Sequence, residues 1–170
     1  DWIFDFAVRR NDQVKYELVD LANYNLPFLG TEISANQQHD TVKAIRAWSE
    51  KIASLDGYIF VTPEYNHATS AVLKNALDHL NQEVNNKAAG FVGYGSLGAA
   101  RAIENLRLIL GELQVADVRT AVTFSLMTDF EQMRIFKPAN YHQKNAEGML
   151  DQVIAWSRAL RALRNNQLAP

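Results

Sequence analysis

The residues best suited to chemistry fall in two short stretches. The first is Thr62-Pro63-Glu64-Tyr65-Asn66-His67-Ala68-Thr69-Ser70. It follows an apolar run and leads into a helical pattern, so it reads as a strand-to-helix loop. Exposed backbone N–H groups at such a helix start form a donor-rich surface, and Pro63 stiffens the loop by fixing φ. That surface suits a flat heteroaromatic ring with carbonyl oxygens and ring nitrogens. An ordinary connection capped by Thr69 or Ser70 fits the same residues. The second stretch is Gly93-Tyr94-Gly95-Ser96-Leu97-Gly98, again after a strand and before a helix. Its small residues permit close approach of the backbone.

The second stretch matches two other motifs by letter. G-x-G-x-x-G is the dinucleotide fingerprint, which needs an acid about 20 residues on, at the end of the next strand. Asp117 has the spacing but stands at the start of that strand, and the motif comes late in the chain rather than in its first unit. The nucleophile elbow G-x-S-x-G is half met by Ser96 and Gly98, with Tyr94 where its first glycine belongs. Only His142 follows as a partner, and no motif supports it. His39, His67, His79 and His142 show no i, i+4 pair and no cysteine joins them, so no metal site is expected. Glu64 and Asp78 lie on different elements and form no acid–base pair. No side chain is therefore assigned a catalytic role.

The elements that position these loops follow from apolar spacing. Residues 1–9 read as the end of a helix, Val14–Val19 alternates as a strand, and Asn23–Pro27 is a loop. A helix spans Asp40 to about Ser54 and stops at Gly57. Strands are expected at 58–61, 88–92 and 118–124, and helices at 69–81, 98–113 and about 149–163. Ser125–Pro138 reads as a long loop. Strands alternating with helices indicate a parallel sheet covered on both faces, with ligands beyond the carboxyl ends of the strands.

The composition supports one domain of this kind. With 170 residues, nearly half of them hydrophobic, the chain can bury roughly 70% of its unfolded surface. A net charge of −2 without like-charge blocks gives no reason to expect nucleic acid or a membrane surface as partner. The absence of cysteine excludes disulfides and thiolate chemistry and fits a cytoplasmic setting. No apolar run approaches the ~20 residues that span a bilayer.

Pro63-Glu64-Tyr65-Asn66 followed by Leu73-Lys74-Asn75-Ala76-Leu77-Asp78 resembles the signature of the NAD(P)H-dependent FMN reductase family, and the likeness extends over essentially the whole chain. It departs at Thr69-Ser70-Ala71, where many members carry Ser or Gly followed by Pro or a small residue. The resemblance implies an α/β, flavodoxin-like three-layer sandwich with a parallel sheet of order 2-1-3-4-5. It implies FMN as cofactor, with Pro63, Glu64, Tyr65 and Asn66 along the isoalloxazine edge and Tyr94, Gly95, Ser96 and Gly98 at its pyrimidine end. It implies NADPH or NADH as donor and a small acceptor: a flavin, quinone, azo compound or metal oxyanion. A homodimer or homotetramer paired through the helices beside the flavin is expected. A flavodoxin-like electron carrier and a degenerate interaction domain are the competing classes. The family also begins with a strand and a phosphate-binding loop. Here the chain opens inside the following helix, so 1–170 is expected to be a single domain lacking that first strand, about 15–25 residues by ordinary element lengths.

Overall fold

In the computed structural model, which describes residues 2–165, three strands pair in parallel in the order β1-β2-β3. They are β1 (Gly57–Pro63), β2 (Lys87–Gly95) and β3 (Val115–Ser125). Helices α2 (Gln38–Ala53), α3 (Ala71–Asp78) and α4 (Ala100–Glu112) cover one face, and α1 (Trp2–Val8) with α5 (Tyr141–Arg164) covers the other. The central strand explains the layering. Along β2, Ala89 and Phe91 join the core made with Trp48, Leu77, Leu106 and Leu110. Ala88 and Val92 join the core made with Ile3, Val118, Met149 and Leu150. A strand buried on both faces has no polar side to alternate, hence its unbroken apolar run. The fold is α/β with three layers, and the parallel order β1-β2-β3 does not contradict the expected one.

Three expectations are corrected. Val14–Val19 forms no strand: among the described residues it has no ladder partner. Its alternation is real, since Val14 and Tyr16 are half-buried while Lys15 and Glu17 are exposed. Alternation tells which side is covered, but a strand also needs a neighbour for its N–H and C=O groups. Side chains anchor this segment instead, Tyr16 Oη donating to Asp12 at 2.6 Å and Lys51 Nζ to Glu17 at 3.0 Å. Gly57 does not end α2; that helix stops at Ala53 with Ser54 as its cap, and Gly57 opens β1. The 125–138 loop contains a small hairpin, β4 (Phe130–Glu131) with β5 (Ile135–Phe136). Its turn residues Gln132 and Met133 have φ of 50° and 55°, a geometry that the usual Asn-Gly signal would have announced and these residue types do not.

Lys87 is buried at the start of β2. Its side chain donates to the carbonyls of Ile52 (3.0 Å) and Ala53 (2.7 Å), the open C-terminal end of α2. Burial, and next the nearby Arg164, pull its ammonium down to about 8 from 10.5. Between these values the unfolded chain binds a proton that the folded chain lacks, so stability rises with pH across that window. The expected gain is on the order of 2 kcal/mol. Denaturant titrations from pH 7.5 to 10.5 should show this slope in the parent protein and its loss in Lys87→Met.

Candidate functional site

The two stretches meet at the carboxyl ends of β1 and β2. The ladder continues to Pro63 opposite Tyr94, and the Glu64 N–H then donates to the Tyr94 carbonyl at 3.1 Å. After Glu64 the chain turns tightly. Tyr65 and Ala68 exchange hydrogen bonds of 2.9 and 3.0 Å around Asn66 and His67, whose φ values are 50° and 69°. Two left-handed residues in succession define a primed turn, and Asn and His tolerate that region better than most residues. Ser70 then caps α3, accepting the Leu73 N–H at 3.2 Å, which decides between the two cap candidates. Thr69 is buried and meets the Thr62 hydroxyl at 2.7 Å.

Glu64 locks the first loop to the second. Its side chain is 3% exposed, forms an ion pair with Arg101 and accepts the Arg101 and Ala102 N–H groups at 3.0 and 3.2 Å. It therefore serves as the N-terminal anion of α4, a favourable place for a carboxylate. Burial pushes its carboxyl up, but the hydrogen bonds from Arg101 and the backbone outweigh it and hold it below the usual range. Arg101 also contacts His67 Nε2 at 2.7 Å, tying the turn tip to the same helix start.

The glycines of the second loop serve close packing. A Cβ on Gly95 would stand 3.1 Å from the Glu64 Cβ, so the two loops touch there. Gly98 has φ +71°, and a Cβ on it would lie 2.9 Å from Thr123 Cβ on β3. The G-x-G-x-x-G spacing thus reflects contact among this loop, the first loop and the sheet. The acid that the dinucleotide fingerprint would need is engaged elsewhere: Asp117 pairs with Arg107. The elbow reading also fails, because His142 is buried against Asp129 and makes no contact with Ser96.

These turns leave donors free. Among the described residues, the N–H groups of Asn66, His67, Ser96 and Leu97 have no hydrogen-bond partner. All four belong to exposed residues, and the exposed Tyr65 and Tyr94 stand beside them. Tyr94 is 38% exposed, and burial together with the neighbouring Tyr65 raises its phenol above the ordinary value, so it stays protonated at neutral pH. A surface with several N–H donors and two aromatic side chains fits a planar ring that carries acceptors.

Lys74 and Arg101, both near the loops, are not free cations. Lys74 bonds Asp78 at 2.6 Å, one turn along α3. The motif residue Asn75 has a structural task that its position did not reveal. It donates to the Pro27 carbonyl at 2.9 Å and accepts the Leu29 N–H at 3.0 Å, fastening residues 27–29 beside α3. His79 Nε2 reaches the same Pro27 carbonyl at 2.9 Å. His39 is exposed on α2. A cleft of about 590 Å³ lies elsewhere, lined by Glu104, Arg107, Asp117, Arg119, Gln152 and Trp156. There Arg107 is already engaged by Asp117 and by the Val118 and Arg119 carbonyls, so its donors cover the edge of β3.

Known proteins resemble this chain in sequence and in fold. A curated NAD(P)H-dependent FMN reductase of Schizosaccharomyces pombe is 34% identical over 146 residues, covering 81% of this chain and 70% of that protein. A 2-hydroxy-1,4-benzoquinone reductase of a Burkholderia species is 29% identical over 168 residues, covering 89% and 90% respectively. Among solved structures, the flavoenzyme NAD(P)H:(acceptor) oxidoreductase FerB of Paracoccus denitrificans superposes with a TM-score of 0.68 at 19% identity, over 92% of this chain and 86% of that one. The sequence profile described as NADPH-dependent FMN reductase matches residues 1–129, a span that takes in both loops and the strands that carry them. The chain belongs to the NADPH-dependent FMN reductase family.

Proposed function

We propose that this chain holds FMN at the Pro63–Asn66 and Tyr94–Gly98 loops and passes electrons from NADH or NADPH to a small acceptor. The observation that carries this reading is the set of four unused N–H groups, on Asn66, His67, Ser96 and Leu97, at adjacent strand ends. Bound FMN supplies hydride exchange with a nicotinamide, chemistry that no side chain of this site offers. The chain's own contribution is orientation. The backbone donors of the two loops would hold the acceptor atoms of the ring, and the Tyr65 and Tyr94 side chains would border it. Glu64 and Arg101 keep the loops in register without placing an unpaired charge beside the ring. Pro63 brings no N–H of its own and fixes the start of the turn.

A quinone is the acceptor we favour, because the Burkholderia relative, matched along nearly its whole length, is named for one. The proposed assembly is a two-fold dimer through α3 and α4. Val72, Leu97 and Leu108 stand exposed on these helices and the loop between strand and helix, as an interface core requires. A cysteine-free chain that uses nicotinamide fits the reducing cytoplasm.

The test is spectroscopic. Protein loaded with FMN and kept free of oxygen should lose the visible flavin band on addition of NADPH or NADH and recover it on addition of a benzoquinone. A band inert to both nicotinamides would rule out the reductase reading and leave an electron carrier. Failure to take up FMN at all would point to a degenerate domain.

A further inference from the structure

Two neighbouring carbonyls fix how the loop between β2 and α4 presents its donors. The Gly95 carbonyl accepts the Leu126 N–H at 2.9 Å and the Gly98 N–H at 3.1 Å. The Ser96 carbonyl accepts Ser125 Oγ at 3.0 Å. A trans peptide sets its N–H opposite its C=O, and no described peptide is cis. Pinning the Gly95 carbonyl therefore turns the Ser96 N–H the other way, and pinning the Ser96 carbonyl does the same to the Leu97 N–H. These are the two unused donors on exposed residues of that loop.

Ser125 is itself held from behind. Its N–H donates to Asp129 Oδ2 at 2.9 Å, and its Oγ accepts the Met127 N–H at 3.2 Å, which directs the hydroxyl proton toward Ser96. Asp129 is buried; its Oδ2 also accepts the Thr128 hydroxyl at 3.2 Å, and its Oδ1 meets His142 Nε2 at 2.7 Å and the Ala139 N–H at 3.4 Å. Burial raises the Asp129 carboxyl, but the His142 hydrogen bond and the backbone donors bring it below its ordinary value, so it is a carboxylate. The His142 side chain is 1% exposed and its Nδ1 has no partner. One ring nitrogen thus serves Asp129 and the other is buried without a partner, at a cost in free energy.

The geometry points to Ser125, Asp129 and His142 as positioning residues for the flavin ring: the buried imidazole–carboxylate pair fixes Ser125, and Ser125 aims the Leu97 N–H by holding the Ser96 peptide. This rests on the reading of the two loops as the FMN site. The three residues act through the backbone and none touches the ring.

Ser125→Ala should weaken FMN and riboflavin by the same factor, roughly tenfold, the size of one hydrogen bond to the ring. Riboflavin lacks the phosphate, so an equal loss locates the effect at the ring. Ser125→Thr keeps the hydroxyl and should restore both affinities, and Tm should stay near the parent value in each variant. In the parent protein, the Leu97 amide should exchange more slowly with solvent once FMN is bound. Ser125→Ala binding both flavins within twofold of a parent that binds them overturns this inference alone, whereas Leu97 exchange unchanged by FMN overturns the loop assignment with it. A parent that takes up neither flavin overturns the loop assignment and this inference together.

Discussion

Gly98→Val is expected to remove about 3 kcal/mol of stability and most of the FMN affinity. Two independent costs combine at this position. The left-handed φ of +71° is strained for any β-branched residue, at about 1–3 kcal/mol. The new Cβ would also stand 2.9 Å from Thr123 Cβ, a carbon fixed to the backbone of β3 and unable to step aside. Overpacking of that kind costs about 1–3 kcal/mol. Ala99 follows with φ 60° and is fully buried, so the turn has no slack on its other side. The loop should therefore lift away from the sheet, carrying Ser96 and Leu97 with it. Urea denaturation and a fluorescence titration with FMN read the two effects. Parent-like values in both would show that the loop tolerates another path.

Glu64→Ala is expected to cost about 2–3 kcal/mol, because it strips α4 of its N-terminal anion and leaves Arg101 without its buried partner. Glu64→Gln keeps the volume and part of the hydrogen bonding and should cost roughly half as much. The pH dependence follows from the direction of the shift. The folded carboxyl titrates below its ordinary value of 4.5, so its contribution is complete above that pH and is lost as pH falls through the lower, folded value. The parent should thus lose stability on acidification below about pH 4.5 more steeply than Glu64→Gln. Equal slopes would mean that the pair with Arg101 contributes nothing in solution.

The parts of this molecule that were legible in the sequence are the local ones. Apolar spacing located the helices from Asp40 and from Ala99 to within a few residues, because one buried stripe on a helix imposes a 3.6-residue period. The two-sided burial of β2 announced itself as an apolar run. The strand at 14–19 was misread because a ladder partner is not a local property. The hairpin at 130–136 was missed because Gln132 and Met133 adopt left-handed geometry that their types do not advertise. In the candidate site, the order Pro63-Glu64-Tyr65-Asn66 singled out the loop between β1 and α3, but the task of Glu64 depends on Arg101, 37 residues away. Asp129 and His142, 13 residues apart, likewise meet only once α5 packs on the sheet. Long-range polar pairs leave no periodic trace, since each is a single coincidence of two positions.

The most direct measurement on the two-loop site is the amide NMR spectrum of isotope-labelled protein during titration with FMN. If the ring lies against the ends of β1 and β2, the amides of Asn66, His67, Ser96 and Leu97 shift together and saturate at one equivalent of FMN per chain. Those four signals standing still while Arg107, Arg119 and Trp156 respond would contradict it, and would move the site to the cleft beside β3.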